Sequence, residues 1–108
     1  MSTFQSVQSA NFEEYILKSS SPALLEFGAE WCAPCKRLEP DLEKLSSGWG
    51  ERVRIGKVDV DQSPDLVASL RVMSVPTLIL FIDGKEVQRS TGYLPPERLL
   101  AKFHPYLP

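Results

Sequence analysis

The chain has 108 residues, 43% of them apolar and 24% charged, which is the size and composition of one globular domain spanning 1–108 and of neither a disordered chain nor a coiled coil. Twelve Lys and Arg stand against fourteen Asp and Glu, and the formal charge of -2 excludes a strongly basic nucleic-acid footprint and a polybasic membrane patch. The longest mostly apolar run, residues 75–82, is far short of the ~20 residues that span a bilayer. In chain order, residues 3–7 are expected to form a short strand. Asn11 is the expected N-cap of a first helix, with Glu14 as its capping-box partner, and Phe12, Tyr15 and Ile16 carry that helix to about Lys18. Residues 19–22 break it. Residues 23–27 form a short apolar run interrupted by Glu26, with the length and flanks of a buried strand.

A second helix is expected after Trp31, with Leu38, Leu42 and Leu45 on one face, a kink at Pro40, and Gly48 and Gly50 at its end. Residues 53–60 predict a central strand, because Val53 and Ile55 point to one face and Val58 and Val60 to the other. Ser63, Pro64 and Asp65 open a short helix whose apolar face is Leu66, Val67 and Leu70. Residues 76–82 predict a third apolar strand. Asp83-Gly84 is a hairpin signal, residues 85–90 follow as an antiparallel edge strand, and Gly92 ends it. Pro95, Pro96 and Glu97 open a last helix with Leu99, Leu100 and Phe103 inward. The order β-α-β-α-β-α-β-β-α implies an α/β fold: a central mixed sheet of about five strands with four helices on its two faces.

The chemistry centres on Trp31-Cys32-Ala33-Pro34-Cys35-Lys36, which follows a buried strand and opens a helix. Cysteines at i and i+3 of a helix share a face, with their α-carbons within disulfide reach. Cys32 falls where free amides and the helix dipole favour negative charge, so its thiolate is stabilised. Cys35, one turn in, is expected to be more buried. Cys32 then attacks a disulfide, a mixed disulfide forms, and Cys35 resolves it. Pro34 suits the first turn, where its missing amide costs nothing.

This hexapeptide resembles the active site of the thioredoxin family. The resemblance covers nearly the whole chain: Phe27, Ala29 and Glu30 before the motif, Lys57-Val58-Asp59, Val75-Pro76-Thr77, Gly84 and Gly92. It implies the thioredoxin fold, with Cys32 as nucleophile and Cys35 as resolving thiol. It also implies a cis Pro76 facing the disulfide, and a shallow groove of Trp31, Ala33, Val75, Pro76 and Gly92 where an extended partner segment docks. The protein is expected to reduce protein disulfides and to bind no cofactor. A thioredoxin reductase, itself a NADPH-dependent flavoprotein, is expected to recharge it.

Glu26 and Lys57 follow from burial as well. Glu26 interrupts an apolar strand and Lys57 shares a face with Val53 and Ile55, so an ion pair is expected between them. Desolvation is expected to raise the Glu26 pKa, Lys57 to oppose the rise, and the carboxyl to accept the proton of Cys35. The family has an aspartate where Glu26 stands, usually a glycine at Ala33, and usually an aromatic at Gly28. Alanine adds ~0.8–1 kcal/mol of helix propensity over glycine. Loss of the ring at Gly28 is expected to loosen packing beneath the site.

Other readings of these residues are weaker. Two cysteines and His104 are too few for a zinc site, which takes about four ligands. His104 and the Glu39, Asp41, Glu43, Lys44 cluster are expected to be solvated, and Trp49 to pack at a helix end. A disulfide oxidase or isomerase, or a binding or assembly subunit of the same fold, remain alternatives. The opening segment MSTFQSVQSANFEE has neither a basic nor an apolar stretch, so a cytoplasmic location is expected, and a monomer.

Overall fold

A computed structural model describes residues 4–107. Five strands form one sheet: β1 (Gln5–Ser6), β2 (Ala23–Gly28), β3 (Arg54–Asp59), β4 (Thr77–Ile82) and β5 (Lys85–Thr91). Their order in space is β1-β3-β2-β4-β5. β3 pairs in parallel with β1 and β2, whereas β4 runs antiparallel to β2 and β5 antiparallel to β4. Thr3, part of the expected first strand, lies outside the described residues. The β4–β5 turn has positive φ at both Asp83 and Gly84, as a type I′ hairpin requires.

The two-residue period of the strands sorts the core onto two faces. Ala23, Leu25, Phe27, Val58, Ile79 and Phe81 pack on one face with Ile16 and Leu66. Leu24, Ile55, Leu78 and Leu80 pack on the other with Leu38, Leu42, Leu99 and Phe103. The first face is therefore covered by α1 (Ser9–Phe12, continued by a π turn over Glu13–Leu17) and α3 (Pro64–Ser69), and the second by α2 (Ala33–Trp49) and α4 (Pro96–Phe103). By the same alternation Glu26 and Lys57 lie on the α2 face. Gly56 is a steric requirement: a Cβ there would come within 2.5 Å of Val7 Cγ2.

Two expectations change, at the start of α1 and on the outer side of α4. The first helix begins at Ser9, and Asn11 sits inside its first turn, where its Oδ1 accepts the Gln8 N–H at 2.7 Å. Gln8, not Asn11, is the cap, because the side chain reaches back three residues rather than forward. Helix α2 continues through Pro40 to Trp49, with Gly50 at its end at φ +60. Leu100 is on the outer side of α4, since α4 is one layer deep and its inward stripe is filled by Leu99 and Phe103. Arg89 ties β5 to the end of α3. Its guanidinium grips Glu86 with two hydrogen bonds of 2.8 Å and donates to the carbonyls of Leu70 and Arg71.

Candidate active site

β2 ends at Gly28, and after three intervening residues the chain turns into α2 with Cys32 at the N-cap, in an extended conformation. Cys32 Sγ accepts the backbone N–H of Cys35 at 3.2 Å, so this sulfur already occupies the anion position of the helix start. The two cysteines are joined in a disulfide with α-carbons 5.3 Å apart. Both are buried, Cys35 the more deeply, against Ala29, Val60 and Val75. Pro34 lies in the first turn of α2, and Ala33 is exposed beside it.

Around this rim, Trp31 is 68% exposed and its Nε1–H donates to Asp61 Oδ2 at 2.8 Å, which fixes the ring on the surface. The Val75–Pro76 peptide bond is cis, Pro76 is buried, and its carbonyl accepts the Gly92 N–H at 2.8 Å. An apolar hollow of about 180 Å³ is lined by Trp31, Val60, Val67, Val72, Met73, Ser74 and Val75. Of the five groove residues expected from sequence, Trp31 and Val75 line it and Ala33, Pro76 and Gly92 do not. Met73, 91% exposed, also lines the hollow and was not singled out from sequence. An apolar residue in a loop has no periodicity to mark the side it faces.

Beneath the disulfide lies Glu26, fully buried, with neither carboxyl oxygen in a hydrogen bond. A Cβ built on Gly28 would lie 3.3 Å from Glu26 Oε2 and 3.5 Å from Cys35 Sγ, so carboxyl and sulfur both border the space above Gly28. Burial pushes the Glu26 carboxyl up to about 8, the Glu39 carboxylate adds to the rise, and Lys57 opposes it.

Lys57 stands opposite Glu26 in the β2–β3 register. Its ammonium nevertheless forms its ion pair with Glu39 Oε2 and not with Glu26. The expected Glu26–Lys57 salt bridge is thus replaced, and Glu39 leaves the solvated helix face assigned to it. The reason is reach: Glu39 is on α2, one turn beyond Cys35, and its side chain turns inward to only 16% exposure. Burial draws the Lys57 ammonium down, but Glu39, Glu26 and Asp59 together carry it above its ordinary value. Glu30, Lys36, Glu39, Glu43 and Lys57 line a cavity of about 500 Å³ open to the surface. Asp41 also has a partner, accepting the Tyr93 hydroxyl at 3.2 Å.

His104 is exposed in the 3-10 turn after α4, and Trp49 packs against the α2–α4 core. Among the described residues no three or more His, Cys, Asp or Glu side chains are grouped to hold a metal ion. Among them, too, no helix is long and apolar enough to cross a membrane.

Comparison with known proteins agrees with this geometry. The family model Thioredoxin matches residues 3–104. A thioredoxin of Staphylococcus saprophyticus is 40% identical over 101 residues, 94% of this chain and 95% of its own. One of Rhodospirillum rubrum is 38% identical over 93 residues, 86% of this chain and 89% of its own. One of Mycobacterium bovis is 37% identical over 102 residues, 94% of this chain and 88% of its own.

Proposed function

The chain belongs to the thioredoxin family and is a protein-disulfide reductase, and from that premise we propose how its residues divide the work. Cys32 is the nucleophile. Its thiolate attacks a substrate disulfide, a Cys32–substrate bond forms, and the first substrate sulfur leaves as a thiolate that takes a proton from water. In its ionised form, the minor one at pH 7, Glu26 accepts the proton of the Cys35 thiol. The Cys35 thiolate attacks Cys32 Sγ, the Cys32–Cys35 bond forms as the Cys32–substrate bond breaks, the second substrate sulfur leaves as a thiolate that takes a proton from water, and Glu26 returns its proton to solvent. A carboxyl pushed up to about 8 is close to an ordinary thiol in proton affinity, so this transfer is nearly even in energy. The placement of Cys32 Sγ on the Cys35 amide is the observation that carries the assignment of the two cysteines.

The family carries no bound cofactor, so the cysteine pair itself holds the two electrons. A reductase partner returns them, and a NADPH-dependent flavoprotein is the donor we propose. Val75, Pro76 and Gly92 border the surface on which an extended substrate segment lies, with Trp31, Ala33 and Pro34 at its rim. Lys57 keeps the charge near Glu26 balanced. Cytoplasmic residence and a monomeric state complete the proposal.

Insulin-disulfide reduction tests it, driven first by dithiothreitol and then by a flavoprotein reductase with NADPH. Cys32→Ser abolishes turnover, whereas Cys35→Ser accumulates a mixed disulfide that gel electrophoresis without reductant displays. If neither thiol alkylates faster than free cysteine at neutral pH, the assignment of Cys32 is wrong.

A further inference from the structure

We propose that Glu39 is the positioning residue of the buried proton acceptor: by holding the Lys57 ammonium at the cavity, it keeps that ammonium from pairing with Glu26. The proposal rests on the assignment of Glu26 as the acceptor of the Cys35 proton. Its ground is a mismatch between backbone and side-chain pairing. β2 and β3 place Lys57 directly beside Glu26. Left to themselves, a buried carboxyl and an ammonium in adjacent register close into an ion pair. Here the ammonium is bonded to Glu39 and both Glu26 oxygens lack a donor.

The position of Glu39 makes this control local to the reaction. Glu39 is four residues after Cys35 on α2, so it lies on the same helix face, one turn further in. Its carboxylate and Lys57 both line the open cavity, while Glu26 is sealed. The charged or titratable groups that face Glu26 are Lys57 from β3 and Glu39, Glu43 and Cys35 from α2. β4 places Leu78 opposite it and contributes no charge. Of these, Lys57 alone is cationic, and Glu39 holds it. With the ammonium so engaged, Glu26 exchanges its proton near neutral pH. With Glu39 gone, the ammonium is free to hold Glu26 as a fixed carboxylate, a poorer acceptor for a thiol proton.

The test is a direct titration of the Glu26 carboxyl, by NMR of protein carrying carbon-13 glutamate, in the oxidised protein, where the cysteines do not titrate. It compares wild type, Glu39→Gln, Lys57→Met and the double variant. Glu39→Gln lowers the Glu26 midpoint by about one pH unit or more, because a like charge is removed and the Lys57 ammonium is released toward Glu26. In the Lys57→Met background the same substitution lowers it by less than half as much. Glu39→Ala repeats the measurement should the glutamine variant not fold. A midpoint that stays or rises overturns the proposal, and so does an equal fall in both backgrounds, which would assign the effect to the charge of Glu39 alone. The rate at which Glu26→Gln resolves a mixed disulfide is measured separately. An unaffected rate overturns the role of Glu26, whereas an unmoved midpoint in Glu39→Gln overturns the role of Glu39.

Discussion

Replacing Glu26 by Gln is expected to stabilise the protein, by an amount that depends on pH. The carboxyl is held at about 8 in the folded chain against 4.5 for the free group, so the folded state binds its proton more tightly. The stability this group contributes is complete below about pH 4.5 and is lost as pH rises toward 8. Across that window each pH unit is worth about 1.4 kcal/mol. At pH 7 the folded carboxyl is still mostly protonated while the unfolded one is ionised, so the loss is about 3 kcal/mol. Above pH 8 it levels near 5 kcal/mol. Glutamine has the same shape and no charge to gain, so it escapes the loss. Urea unfolding of the oxidised wild type and Glu26→Gln at acid, neutral and alkaline pH measures the difference, with the disulfide intact so that no thiol titrates. The advantage of the variant grows by about 3 kcal/mol between acid and neutral pH. A difference that does not change with pH, or a wild type that gains on the variant as pH rises, refutes the account of the buried carboxyl.

The same substitution slows resolution of the mixed disulfide more than the first attack, and equal effects in rapid-mixing kinetics count against a proton role. Gly56→Ala forces a methyl to within 2.5 Å of Val7 Cγ2 and costs about 1–3 kcal/mol in chemical denaturation. Arg89→Leu removes the clamp on Glu86 and on the carbonyls of Leu70 and Arg71, and costs about 1–3 kcal/mol, most visibly as faster amide exchange at the end of α3. Trp31→Ala removes an exposed aromatic at the rim of the apolar hollow; it raises KM for insulin by about fivefold or more while kcat changes little.

The layered fold was legible because strand and helix periods are local properties. Leu24 and Leu25 alternate across β2, Leu38 and Leu42 repeat at helical spacing on α2, and Asp83-Gly84 turns the hairpin. The active cysteines were legible for the same reason: their spacing and the helix start are written within a few residues. Leu100 was misplaced because periodicity marks a stripe of the helix and not how wide the neighbouring core is.

The surroundings of the cysteines could not be read in that way. The apolar hollow joins Trp31, Val60 and Met73 from three separate loops and strand ends, which only the packing of the sheet brings together. The nearness of Glu26 to Cys35 depends on the empty side of Gly28, a contact between a strand end and a helix. Sequence alone determined that a charge in β2 needed an answer, because burying it without one is costly. The answer was decided by tertiary structure: Glu26 has no hydrogen-bond partner and its carboxyl is pushed up by burial, while Lys57 pairs with Glu39. Strand register offers Lys57 to Glu26, but Glu39 on α2 holds the ammonium, and side-chain pairing follows three-dimensional reach rather than order along the chain.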